Sequence, residues 1–251
     1  MASAPRRQNE QSAAAAQVVD FLETMPARYR ESLDGSAVLQ HARIAHERAG
    51  QLAHVGRFAV DQPGGPALCV VATDAPGVLA AICASLMVEG FEVMQAEVFT
   101  RTNPVGESEA VDLLWVRRGW ADPRGPLTED DALAVRATLV PLLRGEVGIR
   151  RRAPGSRNTT PAATETAVRF IEREEVPWLT LDVHTNDRSG LLLAVTSTLL
   201  EEKIQITQAR IRTDGTRVRD SFDLVQADGT RIPRDRLQRL QLAVLAAIDG
   251  Y

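Results

Sequence analysis

Hydrophobic and polar positions in the middle of the chain follow the periods of strands and helices, and they predict one small unit between residues 67 and 152. Apolar runs and strict alternation indicate strands, whereas apolar positions three and four apart indicate helices. The predicted order is strand, helix, strand, strand and helix over 67–73, 77–89, 91–100, 109–116 and 128–143. Thr128, followed by acidic residues, is a typical helix start. Residues 145–152 are predicted to add a closing strand.

The same order of elements returns later in the chain. The second set is predicted over 178–185, 190–202, 204–213, 217–226 and 233–248. At an offset of 113 residues, identical residues recur at Asp74/Asp187, Gly77/Gly190, Leu79/Leu192, Ala81/Ala194, Leu86/Leu199, Glu89/Glu202, Gln95/Gln208, Ala96/Ala209 and Thr100/Thr213. After a two-residue difference in the hairpin, Asp112-Leu113 aligns with Asp223-Leu224. A period this long indicates duplicated domains rather than a solenoid.

Each repeat predicts a ferredoxin-like unit, with two helices on one face of an antiparallel sheet. The second unit has no strand after its last helix, because the sequence stops at Tyr251. The alternating run 166–171 precedes that unit, and we expect it to cover the vacant sheet edge, which would otherwise invite aggregation. The predicted fold class is therefore α+β, with two tandem βαββαβ domains.

The remaining segments complete the predicted domain organisation. Residues 1–16 lack apolar periodicity and are predicted to be a disordered tail, and a Pro, Gly and Arg-rich stretch is predicted to be a linker. Two helical stretches separated by breakers predict a helical segment before the first unit. The predicted division is a tail over 1–16, a helical segment over 17–56, a first domain over 57–152, a linker over 153–163 and a second domain over 164–251.

Composition narrows the function classes without naming one. Hydrophobic residues make up 44% and charged residues 25% of the chain, and the net charge is −4. This charge disfavours binding to nucleic acid or to anionic membranes. Cys69 and Cys83 lie in apolar stretches, and we expect them to be buried in a cytoplasmic protein without a membrane span. The four histidines show no metal-ligand spacing, so no metal or other cofactor is predicted.

A short motif occurs at the first strand-to-helix junction of both units. Asp74-Ala75-Pro76-Gly77 and Asp187-Arg188-Ser189-Gly190 each end a strand and open a helix. Glycine allows a tight turn and close approach of a ligand, and the helix N-terminus offers unpaired N–H groups to an anion. The aspartate could then accept a hydrogen bond from an ammonium group, so the motif suits an amino acid. Alternatively, Asp74 and Asp187 only cap their helices.

With their downstream strands over 92–100 and 204–213, these motifs resemble ACT domains. The second unit, through Asp220-Ser221-Phe222, is especially similar to the last ACT domain of the bifunctional uridylyltransferase/uridylyl-removing enzymes of nitrogen control. Phe21-Leu22, Pro26 and Arg28-Tyr29 resemble the segment before the first ACT domain of those enzymes. The resemblance covers roughly residues 18–248.

The resemblance implies ligand sensing, with glutamine as the ligand and no catalysis. Chemistry in that family belongs to nucleotidyltransferase and HD-type hydrolase domains, whose motifs this sequence lacks. The ligand-binding positions that carry over are Asp74, Gly77, Val78, Asp187, Arg188, Gly190 and Leu191. Ala75 and Ser189 replace the Arg and the Pro of the family's loop.

The expected function is therefore a non-catalytic, amino-acid-binding regulatory protein in the control of nitrogen or amino-acid metabolism. We expect the two ACT units to pair within the chain or in a homodimer, and a partner protein to sense the ligand state. One alternative is a ligand-free scaffold whose sites have decayed. Another is an enzyme of the PII uridylyltransferase type, although phosphoryl transfer requires metal ligands that the sequence does not show.

Overall fold

The structure is a computed structural model that describes residues 15–32, 35–59, 67–118, 126–149 and 166–250. Its elements in chain order are α1 (15–24), α2 (Ala27–Ser32), α3 (Gly35–Glu47), β1 (Ala53–Phe58), β2 (Ala67–Thr73), α4 (Val78–Val88), β3 (Phe91–Thr102), β4 (Ser108–Arg118), α5 (Glu129–Leu143), β5 (Ala167–Glu172), β6 (Leu179–Asn186), α6 (Leu191–Glu201), β7 (Ile204–Asp214), β8 (Arg217–Gln226) and α7 (Arg234–Asp249). The two predicted strand-helix-strand-strand-helix sets are confirmed within a few residues at each boundary.

The eight strands form one continuous antiparallel sheet in the order β1-β2-β4-β3-β7-β8-β6-β5. The first four strands belong to the first unit and the last four to the second, and the units join through β3 and β7. Helices α4 to α7 pack on one face of this sheet. The α+β class with two tandem ferredoxin-like units is confirmed.

The outer strand of each unit comes from the chain that precedes the unit. The prediction for residues 166–171 is confirmed, because β5 pairs with β6 and includes Val168 and Phe170. The predicted closing strand over 145–152 is wrong. Residues 145–149 lie outside any strand, and 150–152 fall outside the described residues. The edge beside β2 is taken by β1 instead.

Strand β1 begins inside the segment that was predicted to be helical up to residue 56. The sequence signal for β1 is weak, because the strand is only six residues long and is buried on both faces. Ala53 and Val55 face α5 and the core below the sheet, whereas Phe58 joins the core on the other face. Gly56 leaves room for Ile44 of α3, whose Cγ1 lies 2.7 Å from where a Cβ would stand. A strand without polar alternation is hard to separate from a buried helix.

The N-terminal helices cover the other face of the first unit's sheet. They bury a second apolar cluster against β1 to β4, whose large members are Phe21, Met25, Tyr29, Ile44, Phe58, Phe99, Leu113 and Trp115. His41 is fully buried there, and the Tyr29 hydroxyl lies 2.8 Å from its Nδ1. His41 thus packs and bonds within the N-terminal helical segment. Residues 1–14 and the predicted linker over 153–163 lie outside the described residues, and the last two residues of the predicted tail are helical.

The two units are related by a pseudo-twofold axis at the junction of β3 and β7. In this antiparallel pair Glu97 stands opposite Arg210, and these residues are equivalent in the repeat. Equivalent positions of two copies face each other only across a twofold axis. The β-bulges lie at matching places as well, at Val93/Gln95 and Ile206/Gln208. The expected pairing of the two units within one chain is therefore present, while the exact domain limits stay a prediction.

Candidate functional site

Both Asp-x-x-Gly loops end in a glycine that sits at the helix N-cap with a left-handed backbone. Gly77 has φ +90° and Gly190 has φ +83°, a conformation that residues with a Cβ rarely adopt. Neither helix start has a side-chain cap hydrogen bond. The alternative in which Asp74 and Asp187 only cap their helices is therefore wrong.

The first site lies where the loop of the first unit meets the second unit. The backbone N–H of Asp74 donates to the carbonyl of Ser108, which attaches the loop to the start of β4. The Asp74 carboxylate accepts from the Ser108 hydroxyl at 3.2 Å and from Nε2 of Gln205, at the start of β7, at 3.2 Å. Burial raises the pKa of Asp74, and these hydrogen bonds partly oppose the rise.

A small cavity opens beside this loop and is lined by both units. The lining comprises Asp74, Ala75, Gly77, Val78, Leu79, Ala80, Val98, Thr100, Ala110 and Asp112 of the first unit and Thr196, Leu200, Ile204 and Ile206 of the second. Its volume of about 20 Å³ is enough for one water-sized group. Leu200 restricts the space above Gly77, since its Cδ2 lies 2.8 Å from where a Cβ would stand. A whole amino acid is larger than this volume, so its entry would require side chains that line the cavity, such as Leu200, to move.

Asp112 is a buried acidic residue that sequence reasoning did not assign to the site. It lies in the middle of β4 on the face that α4 covers, and it is 1% exposed. Neither of its carboxylate oxygens has a hydrogen-bond partner among the described residues. Burial, and secondarily the nearby Asp74 carboxylate, raises the pKa of Asp112 well above its usual range. An acidic residue on the inward-facing side of an apolar strand was the signal that could have identified it.

The counterpart of Asp112 in the second unit is Asp220. Asp112 pairs with Val70 and Asp220 pairs with Val183, and these two valines are equivalent in the repeat. The sequence alignment of Asp112 with Asp223 is therefore wrong, because the hairpins differ more in length than that alignment allowed. Strand register depends on the partner strand, which one sequence does not show.

The second site repeats the geometry with a different charge balance. Asp187 donates its backbone N–H to the carbonyl of Thr216, and its carboxylate lies 3.8 Å from Nη2 of Arg117. Burial raises the pKa of Asp187, and Arg117 opposes the rise. Asp220, 2% exposed, accepts from the backbone N–H of Arg212 at 3.3 Å, and burial raises its pKa to about 8.

The other predicted ligand-binding residues lie in the first helical turns or in the loops. Val78 and Leu191 are both buried at the start of α4 and α6, and Val78 lines the cavity. Arg188 is half-buried in the second loop, and its carbonyl accepts from the N–H of Leu191. Asp74, Gly77 and Val78 therefore gather around one cavity, while Asp187, Arg188, Gly190 and Leu191 lie at the pseudo-symmetric position in the second unit.

Over the described ranges, no three His, Cys, Asp or Glu side chains come together in a way that could hold a metal ion. No helix in this part of the chain has the length and apolar character to cross a membrane.

Two ferredoxin-like units with Asp-x-x-Gly loops at their helix starts, joined edge to edge about a pseudo-twofold axis, give this chain the fold of tandem ACT domains. Over most of its length the chain resembles the C-terminal regulatory region of the bifunctional uridylyltransferase/uridylyl-removing enzymes. The enzyme of Phenylobacterium zucineum is 28% identical over 231 residues, which are 91% of this chain and 24% of that enzyme. The enzyme of Burkholderia vietnamiensis is 32% identical over 193 residues, 74% of this chain and 21% of that enzyme.

The chain thus spans about a quarter of the length of the curated relatives it matches. No family model matches the sequence. Among solved structures, aspartate kinase from Synechocystis aligns with 73% of this chain and 26% of its own chain, at 14% identity and a TM-score of 0.39.

Proposed function

We propose that this chain is a non-catalytic regulatory module that binds an amino acid at the junction of its two ACT units. The cavity beside Asp74 is the observation that carries this proposal, because both units line it. A ligand bound there contacts both units, so its binding energy depends on their relative arrangement. Only such differential binding lets a ligand shift a conformational equilibrium.

Each end of an amino acid has a complementary group in the first site. The first turn of α4 offers backbone N–H groups without intrahelical acceptors, together with the positive end of the helix dipole, to an α-carboxylate. The Asp74 carboxylate offers an acceptor to the α-ammonium group. Gly77 allows the ligand to approach the backbone, and Val78 supplies an apolar wall. The second site offers the same elements through Asp187, Arg188, Gly190 and Leu191.

The first site contains a contact between the two units that a ligand would replace. Gln205 of the second unit donates to the Asp74 carboxylate, the group to which we assign the ligand ammonium. Leu200 of the second unit fills the space above Gly77. Ligand entry therefore exchanges contacts between the two units for contacts with the ligand. This exchange is how ligand binding would change the arrangement that a regulatory partner protein senses.

Glutamine is the ligand we propose, with a role in the control of nitrogen or amino-acid metabolism. The similarity to uridylyltransferase/uridylyl-removing enzymes supports this role, and the catalytic steps of those enzymes are not assigned to this chain. A cytoplasmic location belongs to the same proposal, and the buried, unpaired Cys69 and Cys83 are consistent with a reducing compartment.

The test is thermal unfolding of the purified protein with each of the twenty amino acids, followed by calorimetry. A ligand at 100 times its dissociation constant should stabilise the protein by about 2.7 kcal/mol. Asp74→Ala and Asp187→Ala should weaken binding, whereas Asp130→Ala, at an exposed position in the first turn of α5, should not. Wild-type affinity in both loop variants would contradict the site assignment.

A ligand-free scaffold is the second candidate, and the small volume of the cavity favours it. No stabilisation by any amino acid at millimolar concentration would support the scaffold. UTP-dependent modification of a PII-type protein by the purified chain would instead support a catalytic role.

A further inference from the structure

The first site holds one more carboxyl group than the recognition of one α-ammonium group by Asp74 requires. Asp112 lines the same cavity, is 1% exposed, and has no hydrogen-bond partner for either carboxylate oxygen among the described residues. A buried carboxyl group without a partner costs free energy in the folded state. A carboxyl group of this kind in a cavity wall indicates that the cavity binds a chemical group that donates hydrogen bonds to it.

The residues that line the cavity restrict the charge of the ligand group that it can bind. Two of the lining residues are acidic, and none of them is Lys, Arg or His. Asp74 is the titratable group that raises the pKa of Asp112, and Asp112 in turn raises the pKa of the Cys83 thiol on α4 and of the Cys69 thiol on β2. None of these neighbours supplies a positive charge. The remaining polar side chains, Thr100 and Thr196, are neutral. The cavity therefore fits a cation that donates hydrogen bonds.

The volume of the cavity restricts the size of the cation. About 20 Å³ admits one water-sized group without any movement of Leu200. An ammonium head has this size and carries three or four N–H donors. Guanidinium and imidazolium groups are larger and would need a rearranged site.

We infer that the first site binds a primary ammonium head between Asp112 and Asp74, and that Asp112 determines its selectivity for amines. The head belongs either to an amino acid or to free ammonium. The first source rests on the proposed function, and the second does not.

The second site lacks this arrangement. Its loop carboxylate, Asp187, already lies 3.8 Å from the Arg117 guanidinium, and Arg117 also bonds to Glu92. Asp220, the counterpart of Asp112, accepts a backbone N–H from Arg212. Because these acidic groups already have partners, the two sites are not equivalent, and amine binding that depends on a buried aspartate belongs to the first site.

Binding at the first site is also linked to a proton. Burial and the neighbouring Asp74 carboxylate raise the pKa of Asp112, so its neutral form is favoured when no cation is bound beside it. A bound ammonium favours the ionised form, and the proton of Asp112 then leaves to solvent. Amine affinity consequently rises as the pH increases through the raised pKa of Asp112.

The experiment measures binding of ammonium chloride, methylammonium chloride, L-glutamine and glutaramic acid by calorimetry, with potassium chloride at equal ionic strength as the reference. Glutaramic acid is glutamine without its α-amino group. We expect Asp112→Asn to lower the affinity for amine probes at least tenfold, because it keeps the side-chain shape and removes the charge. Asp130→Asn, the same change at an exposed position, should leave the affinity unchanged.

The outcomes separate the two sources. Binding of glutamine that is lost in Asp112→Asn, with no binding of glutaramic acid, supports the inference with an amino acid as the ligand. Binding of ammonium or methylammonium that depends on Asp112, with no amino acid bound, supports it with free amine and refutes the proposed amino-acid function. Glutamine binding that is equal in wild type and Asp112→Asn overturns the inference while the proposed function stands.

Three further results would overturn the inference. The first is binding of potassium as tight as that of ammonium, and the second is binding of no probe at all. The third comes from the wild-type protein alone, and so does not depend on how well the variant folds. Titration of methylammonium in two buffers of different ionisation enthalpy should reveal proton release on binding. Heat that is the same in both buffers after correction for dilution would show that Asp112 does not ionise.

Discussion

At the scale of single residues, the local sequence predicts the position of some residues of the candidate site and does not predict the position of others. Gly77 and Gly190 could be placed at helix starts because turn chemistry is local. Asp112 and Leu200 acquire their roles from the strand and the helix that face them. The roles of the residues at the junction of the two units therefore follow from the tertiary structure.

Gly77→Ala should destabilise the protein more than Gly106→Ala does. Both glycines have a positive φ, +90° and +86°, so both variants carry the backbone cost of roughly 1–2 kcal/mol. At Gly106 a Cβ meets open space, whereas at Gly77 it meets Leu200 at 2.8 Å. The free energy of unfolding in urea measures the difference, and Leu200→Ala should reduce the extra loss at Gly77. Equal losses in the two glycine variants would show that Leu200 does not limit the space.

At the scale of elements, the N-terminal helices are fastened to the first unit by a buried cluster of charges. Glu109, at the start of β4, bonds Arg48 after α3 and Arg101 on β3, with N–O distances of 2.6 Å in both ion pairs. Arg101 also donates to Thr24 of α1, and Arg48 to Thr73 of β2. Since Thr73 directly precedes Asp74, this cluster connects the helical segment with the loop of the first site.

Removal of the central acid of this cluster should be far more costly than removal of its outer member. Glu109→Ala leaves two buried guanidinium groups without their main partner, a loss of about 3–5 kcal/mol. Glu107→Ala is the matched control, because Glu107 also bonds Arg48 at 3.0 Å but its side chain is 58% exposed. Such a surface ion pair contributes about 0–1 kcal/mol. Chemical denaturation compares the two variants, and similar losses would argue against a structural role for the buried cluster.

At the scale of the whole molecule, the two ACT units share one sheet and one core. The pairing of β3 with β7 makes the sheet continuous, and α4 packs against α6 above it. The buried cluster on this face extends through both units without a break. Arg28 of α2 adds a link, because it donates to Glu97 of the first unit and to the carbonyl of Ala209 of the second.

The two units should therefore unfold in a single cooperative transition. Trp115 lies on β4 of the first unit, and Trp178 directly precedes β6 of the second. Two variants, each with Trp120 and one of these two tryptophans replaced by Phe, report on one unit each by fluorescence during denaturation in urea. We expect the same midpoint for both reporters, because separation of the units exposes the shared core. Two separate midpoints would mean that the junction contributes little to stability.

The sequence alone determined the repeat, the order of the elements, and the two Asp-x-x-Gly loops, because apolar periodicity and turn chemistry act over a few neighbouring residues. It also indicated that residues 166–171 form a strand at a sheet edge, because they alternate between apolar and polar positions and directly precede the second unit.

Only the tertiary structure decided which strand covers the edge beside β2, that Asp112 corresponds to Asp220, and that Gln205 and Leu200 complete the first site from the other unit. These features depend on strand register and on contacts between residues far apart in the chain. Such contacts are selected by the packing of complete faces, and no local pattern of residues encodes them.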